Sequence, residues 1–337
     1  MRKLASIRTI DSVRSIPGAD QIECAVIDGW TVVVRKGEYT AGDRAIYCEV
    51  DSFIPHEIAP FLDRGTGPTE FSGVQGYRLR TMRLRGQLSQ GLLLPMSLVR
   101  SKMDIAVGDD VTQMLGILKY EPPIPACLSG EVKGVFPGYI PKTDEERIQN
   151  LASQWGDLKQ LTYEVTEKLE GSSMTVAIDA DGDFIVCGRN LNLKESEKNS
   201  LWKVARAYNI EQRLRDNNLT TLALQGEIVG EGIQGNYYGI KGQDFYVYTV
   251  YDYSVGKYLP AAERVALCKT LGLKHVPVVD AEYMFDTDAT IEQVLARAEN
   301  FSTVNPKKQQ EGLVFKEVNG GHHWKAISNK YLLKTGG

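Results

Sequence analysis

Between residues 121 and 145 regular structure cannot run far. The stretch carries Pro122, Pro123, Pro125, Pro137 and Pro141 together with Gly130, Gly134 and Gly138. Proline removes a backbone donor and fixes φ, and glycine brings conformational freedom that a helix or strand must freeze. The segment therefore reads as a linker, dividing the 337 residues into a domain over 1–120 and a domain over 146–337. A hydrophobic content of 42% suffices for a core in each. The linker runs into "KTDEERIQNLASQW", where Thr143 or Asp144 stands in position to cap a helix with an acidic first turn, as the helix dipole favours.

The two parts differ in pattern. Residues 1–120 hold short β-runs such as "ECAVIDGWTVVVRKG", "DRAIYCEVDSFIP" and "YRLRTMRLRGQLSQGLLLP", broken by turn residues; this predicts a small, OB-like all-β barrel. From residue 160 strands alternate with helices, which predicts an α+β domain with antiparallel sheets. "YEVTEKLEGSSMTVAIDADGDFIVCGRN" reads as two strands joined by the turn at Asp181 and Gly182. "SLWKVARAYNIEQRLRDN" reads as a helix with Leu201, Val204, Ala205 and Tyr208 on one face. "TLALQGEIVGEG" and "DFYVYTVYDYS" are strands, "AAERVALCKTLGL" and "TIEQVLARAENF" helices, and "EGLVFKEVNG" with "HHWKAIS" a final hairpin.

Composition narrows the function. No apolar run approaches the ~18 residues of a membrane helix, and "MRKLASIRTIDS" lacks a signal-peptide centre, so no membrane association and a cytoplasmic location are expected. Cys24, Cys48, Cys127, Cys187 and Cys268 are odd in number and scattered, which suits reduced core residues better than disulfides or a zinc site. The sequons at Asn218 and Asn300 are then accidental. A net charge of −4 argues against coating nucleic acid through bulk positive charge. It leaves room for a local basic groove, and "YRLRTMRLRG" places Arg78, Arg80, Arg83 and Arg85 in a stretch without an acid.

Familiar catalytic frames are missing. "GEGIQG" at 230–235 fits G-x-G-x-x-G, but turn and strand follow it where a dinucleotide fold needs a helix, and no G-x-x-x-x-G-K-[ST] occurs. Of the four histidines only His322 and His323 adjoin, and Ser172 and Ser173 lack a G-x-S-x-G frame. What remains is "VTEKLEGSSMTVAI", where Lys168 stands at a strand end beside Glu170 and Gly171. A lysine is protonated near its ordinary pKa of about 10.4 and becomes nucleophilic only when desolvated or crowded by cations. By itself the fragment fits a surface lysine beside Glu170 better.

"EKLEGSS" resembles the nucleotidyl-attachment motif K-x-D/E-G of the covalent nucleotidyltransferases, the polynucleotide ligases and mRNA capping enzymes. The family's other motifs are matched in order: "CGRN" by Arg189, "LQGEIVG" by Glu227, "FYVYTV" by Tyr248, "EGLVFK" by Glu311, Val314 and Lys316, and "HHWKAIS" by Lys325. The runs "QGEIVGEGIQGNYYG" and "WKAISNKYLLK" are most similar to ATP-dependent RNA ligases, and residues 1–120 resemble the N-terminal OB module of the Deinococcus and Naegleria type. DNA ligases and capping enzymes usually carry their OB domain after the nucleotidyltransferase domain, and too few residues follow Ser328 for a second barrel.

The resemblance implies an OB-like nucleic-acid-binding domain followed by an adenylyltransferase domain of ATP-grasp-like ligase type. Its reaction would join 3′-hydroxyl and 5′-phosphate ends at nicks in RNA or RNA/DNA duplexes, through AMP carried from ATP on Lys168. It assigns Glu170 to the ribose hydroxyls, Arg189 to ribose or the incoming phosphate, and Tyr248 and Val314 to the adenine faces. Glu227 and Glu311 would face Mg²⁺ or Mn²⁺, directly or through water. Lys316 and Lys325 would approach the phosphates and depress the Lys168 pKa, and Arg78, Arg80, Arg83 and Arg85 would grip nucleic acid. A monomer is expected. Two positions depart from the pattern: Ile327 stands where related ligases often have a second lysine, with Lys330 nearby, and Glu170 stands where aspartate is common. The competing readings are a DNA ligase, a guanylyltransferase, and a non-catalytic nucleic-acid-binding protein.

Overall fold

Turn chemistry sets the first unit. Asp28 and Gly29 both take positive φ (49° and 80°), the two-residue turn whose twist matches a hairpin, and they join the strands Ile22–Ile27 and Trp30–Arg35. Alternation then buries Trp30, Val32 and Val34 while their neighbours are half-exposed. The structure, a computed structural model, describes residues 3–63, 65–99, 105–121, 128 and 130–335. It forms two units, Met1–Pro122 with Lys330–Gly337, and Pro123–Asn329.

In the first unit the hairpin is joined by Ser12–Ser15. A second sheet sets Arg44–Cys48 between Ala5–Thr9 and Leu92–Leu94, and a third sets Ser52–Pro55 between Leu118–Lys119 and Val74–Arg78, with Thr69–Phe71 at its edge. Met82–Leu84 and Gln87–Ser89 form a further hairpin, turned at Arg85 and Gly86, both at positive φ. Every pairing is antiparallel and every strand short, which gives the OB-type barrel read from the sequence. The four described cysteines, Cys24, Cys48, Cys187 and Cys268, are buried and unbonded; Cys127 lies outside the described residues.

The second unit is α+β and built on two sheets. In one, the order is Val132–Val135, Leu191–Leu193, Phe184–Cys187, Ser172–Ile178, Leu222–Gly230, Gln243–Asp252 and Lys257–Tyr258, with Lys274–His275 also on Gln243–Asp252. In the other it is Glu146–Arg147, His323–Ile327, Gly312–Glu317, Tyr163–Lys168 and Val278–Tyr283. Phe315 and Trp324 stack at 4.0 Å in the core under the second sheet, and Ile291, Val294 and Leu295 of the helix Ile291–Arg297 pack there too. Among the described residues no helix is long and apolar enough to cross a membrane.

Three local expectations change. The run 163–187 is not two strands but three, and the first belongs to a different sheet from the next two. The expected single helix is two, Ser200–Ala207 and Ile210–Asp216, because Asn209 takes a left-handed φ of 52° between them. Thr143 and Asp144 cap no helix: Glu146–Arg147 pairs in parallel with Trp324–Lys325, and the following 3₁₀ turn begins at Ile148 without a side-chain cap.

Candidate active site

The change of sheet positions the central lysine. In the five-stranded sheet Lys168 lies opposite Gly312 and Gly312 opposite Ile327; the next row is Thr166, Val314 and Lys325, and the next Glu164, Lys316 and His323. Directly opposed residues share a face, so these rows put Lys168, Lys325 and Lys316 on one face with Val314 and Ile327 among them, while Tyr163, Val165, Leu313, Phe315, Trp324 and Ala326 fill the core behind it. The chain then crosses through Leu169, Glu170 and Gly171 into the other sheet, where Ser173 lies opposite Glu227. Gly171 permits the crossing because a Cβ there would stand 2.3 Å from the Ile228 carbonyl and 2.8 Å from Glu227 Cγ. Gly312 is constrained likewise, 2.2 Å from the Ala326 carbonyl. Glycine in these motifs is thus what lets the strands bearing Lys168, Glu227 and Glu311 come together.

Lys168 Nζ donates to Glu311 Oε1 at 2.5 Å, an ion pair whose side chains are 27% and 12% exposed. Burial works against the ammonium, but Glu311, Glu227 and Glu170 outweigh it and hold the Lys168 pKa well above its ordinary value. The expected depression by neighbouring lysines is therefore overturned for the free protein. Lys316 instead donates to the Tyr248 carbonyl, and Lys325 lies 4.0 Å from Asp144. Burial, reinforced by the charge of Arg264, lowers Lys316 to about 7 against the opposing pull of Glu145 and Glu164.

Tyr248 owes its placement to a bulge. Gln225 pairs with Thr249 and Gly226 with Val247, so Tyr248 is the extra residue, and its carbonyl is available to Lys316 rather than to the ladder. Its hydroxyl meets Thr143 Oγ1 at 2.7 Å and Ser173 Oγ at 3.4 Å. Asp144, beside Thr143, pairs with Arg189 at 2.7 Å, an exposed pair. The segment expected to cap a helix thus reaches the site, and sequence reading missed Thr143, Asp144 and Ser173 as parts of it. The strand-pairing of Glu146–Arg147 that puts them there leaves no local signature.

Glu227 sits among like charges. Burial first, eased by Lys168 and then aggravated by Glu311 and Glu170, pushes its carboxyl up to about 8. Among the described residues Glu311 Oε2 is buried without a hydrogen-bond partner. An orphaned carboxylate oxygen next to a second acid that resists ionisation is an arrangement a divalent cation relieves, so the residues fit a metal. Among the described residues no three acidic, histidine or cysteine side chains converge to enclose one.

Ile327 is 5% exposed and shares the row of Lys168, so the position where a second lysine is common is apolar here. In the first unit Arg78 is committed to Asp51 at 2.8 Å and stacks on Tyr120 at 4.6 Å. Arg80, Arg83 and Arg85 are exposed, the last in the positive-φ turn.

Lys316 allows a test of the buried charge behind the site. Between about 7 and about 10.4 the unfolded chain holds a proton on this lysine that the folded chain does not, so rising pH across that window stabilises the fold. Urea unfolding of Lys316→Met, which cannot titrate there, will show the variant's stability advantage shrinking from pH 7 to pH 9, by at most about 1.4 kcal/mol per pH unit.

An OB-type barrel followed by an α+β unit with a lysine held among carboxylates at a sheet crossing is an arrangement that fits a polynucleotide ligase. Residues 4–96 match an OB-fold domain model and residues 161–331 the RNA ligase model, and the chain belongs to the RNA ligase family. A search of curated proteins finds no match. Among solved structures the chain is similar to Naegleria gruberi RNA ligase. The structure of one variant with AMP and Mn shares 48% identity, with a TM-score of 0.91 over 98% of both chains. The ligase with PPi gives 0.90 over the same shares at 48%, and a variant without ligand gives 0.90 over 98% of this chain and 97% of that one.

Proposed function

We propose that this chain is an ATP-dependent RNA ligase that seals a 3′-hydroxyl to a 5′-phosphate at nicks in a duplex, with AMP carried on Lys168. The observation that carries the reading is the placement of Lys168, 2.5 Å from Glu311 and within the charge of Glu227 and Glu170, in a chain of this family. Structures of the Naegleria ligase with ATP and Mn, with AMP and Mn and with PPi support the substrate, the carried group and the leaving group.

Lys168 Nζ forms the bond to the α-phosphorus as the bond to pyrophosphate breaks, with the lysine's proton lost to solvent. A 5′-phosphate oxygen of the RNA then takes the AMP and frees Nζ; the 3′-hydroxyl attacks that 5′-phosphorus, AMP leaves and the hydroxyl proton is released. Each step is an in-line phosphoryl transfer, so positioning and charge neutralisation are the protein's contribution. Glu311 and Glu227 would hold a divalent cation, directly or through water, which when bound would supply neutralisation of charge at the phosphates. Glu170 holds the ribose hydroxyls, Arg189, steadied by Asp144, meets ribose or the incoming phosphate, and Tyr248 and Val314 take the adenine faces. Lys325 faces the phosphates, and Lys316 acts through the Tyr248 carbonyl.

The first unit would grip the duplex through Arg80, Arg83 and Arg85, with the linker joining it to the adenylyltransferase domain. The working form is taken as a monomer, and the buried thiols suit the reducing cytoplasm. The test is sealing of labelled RNA, and of DNA strands of the same sequence, with ATP or GTP, on a nicked duplex and on the same strands unpaired. ATP-dependent joining of the nick, with little joining of free strands or with GTP, is expected. Joining only of DNA would transfer the chain's activity to the DNA ligases.

A further inference from the structure

The loop between the strands Leu222–Gly230 and Gln243–Asp252 holds its own shape and grips two segments of the site. Within it the Asn236 side chain accepts from the Ile240 N–H at 3.0 Å and donates to the Ile240 carbonyl at 2.9 Å, while Ile233 is anchored in the core. Two adjacent tyrosines follow, their rings edge to face at 5.2 Å. Tyr238 is 3% exposed, and its phenolic oxygen accepts the main-chain N–H of Glu170 at 2.7 Å. The Tyr237 hydroxyl donates to the Gln309 carbonyl at 2.7 Å, two residues before Glu311. From the other side Gln310 is fixed by its N–H on the Asn300 carbonyl and its side-chain amide on the Ala298 carbonyl, both at 2.9 Å.

We propose that Tyr238 and Tyr237 are positioning residues of the adenylylation site: one loop sets the ribose-facing Glu170 through its main chain and the metal-facing Glu311 through the segment that leads into it. The inference rests on the roles of Glu170 and Glu311 given above. An N–H in the turn between two sheets needs an acceptor, and Tyr238 supplies it without taking up the Glu170 carboxylate. Deleting that acceptor removes the bond from the Glu170 N–H and loosens the turn, and hydrogen bonds to a ligand tolerate displacements of only a few tenths of an ångström. The effect should therefore fall on recognition of the ribose.

Tyr238→Phe keeps the ring and its packing and removes only the oxygen. Adduct formation by the full chain is followed by mass with ATP and with 2′-deoxyATP. The wild type should prefer ATP, and in Tyr238→Phe that preference in kcat/KM should fall roughly tenfold, the loss appearing with ATP and sparing 2′-deoxyATP. An unchanged preference overturns the proposal, and so does a uniform loss with both nucleotides, the mark of a merely structural role. Tyr237→Phe provides the second arm should Tyr238→Phe not fold: its half-saturating Mn²⁺ concentration should rise several-fold with the ribose preference intact, and an unchanged metal requirement overturns the proposal. A wild type that forms an adduct without ribose preference removes the role of Glu170 and the proposal with it. A wild type that forms no adduct with either nucleotide removes instead the reading of the site as an adenylylation centre.

Discussion

Lys168→Ala will leave a folded protein that cannot join a 5′-phosphate end using ATP, yet still joins an end supplied already adenylylated. The asymmetry follows from where the lysine acts. Its Nζ forms a bond in the first step and is released in the second, and the third step, attack of the 3′-hydroxyl with AMP leaving, needs only positioning and charge neutralisation. Lys168 is also the cation set among Glu311, Glu227 and Glu170. Its loss removes that cation from among the three acids, and they will take up protons or bind cations more readily than in the wild type. A retained rate with the pre-adenylylated strand separates loss of the nucleophile from loss of the fold. Loss of both reactions in a folded variant would mean that Lys168 orders the site rather than carrying AMP.

Glu311→Gln divides two roles that the geometry superimposes. Glu311 is the leading charge that keeps Lys168 protonated, and its buried Oε2 has no hydrogen-bond partner among the described residues. If restraint of Lys168 were its whole task, an uncharged amide of the same size would ease loss of the lysine's proton and speed adduct formation. If it faces the metal, the amide should slow adduct formation on the order of 10²-fold, the scale for removing one electrostatic group from a preorganised site. We expect the slowing, measured as the single-turnover rate of adduct formation at saturating ATP and Mn²⁺. An acceleration would remove Glu311 from the metal and leave it as a restraint only.

How much of this was legible in the sequence depends on the range of the cause. Lys168, Glu227 and Glu311 are legible through the order of the family's short motifs, the motif of each of the three holds a glycine, and Gly171 and Gly312 prove to be places where a Cβ would strike a neighbouring carbonyl. The hairpin turns at Asp28 and Gly29, and the alternation on either side, are also local and readable. Sheet membership is not: the strands Tyr163–Lys168 and Ser172–Ile178 have the same residue chemistry, and only long-range pairing puts them in different sheets. Thr143 and Asp144 carry the side chains of a helix cap, and the pairing of Glu146–Arg147 with Trp324–Lys325 sends them to Tyr248 and Arg189 instead. The charge state of Lys168 was misjudged for the same reason. Its motif shows one acid two residues on, while the acid that grips it lies at Glu311, far along the chain.

The central claim is tested most directly by intact mass and peptide mapping of the wild-type protein, first freed of any bound nucleotide, after incubation with ATP and Mn²⁺. A gain of one AMP mapped to Lys168, absent from Lys168→Ala and reversed by added pyrophosphate, is the predicted result. No adduct on nucleotide-free protein, or one on another residue, would contradict the account.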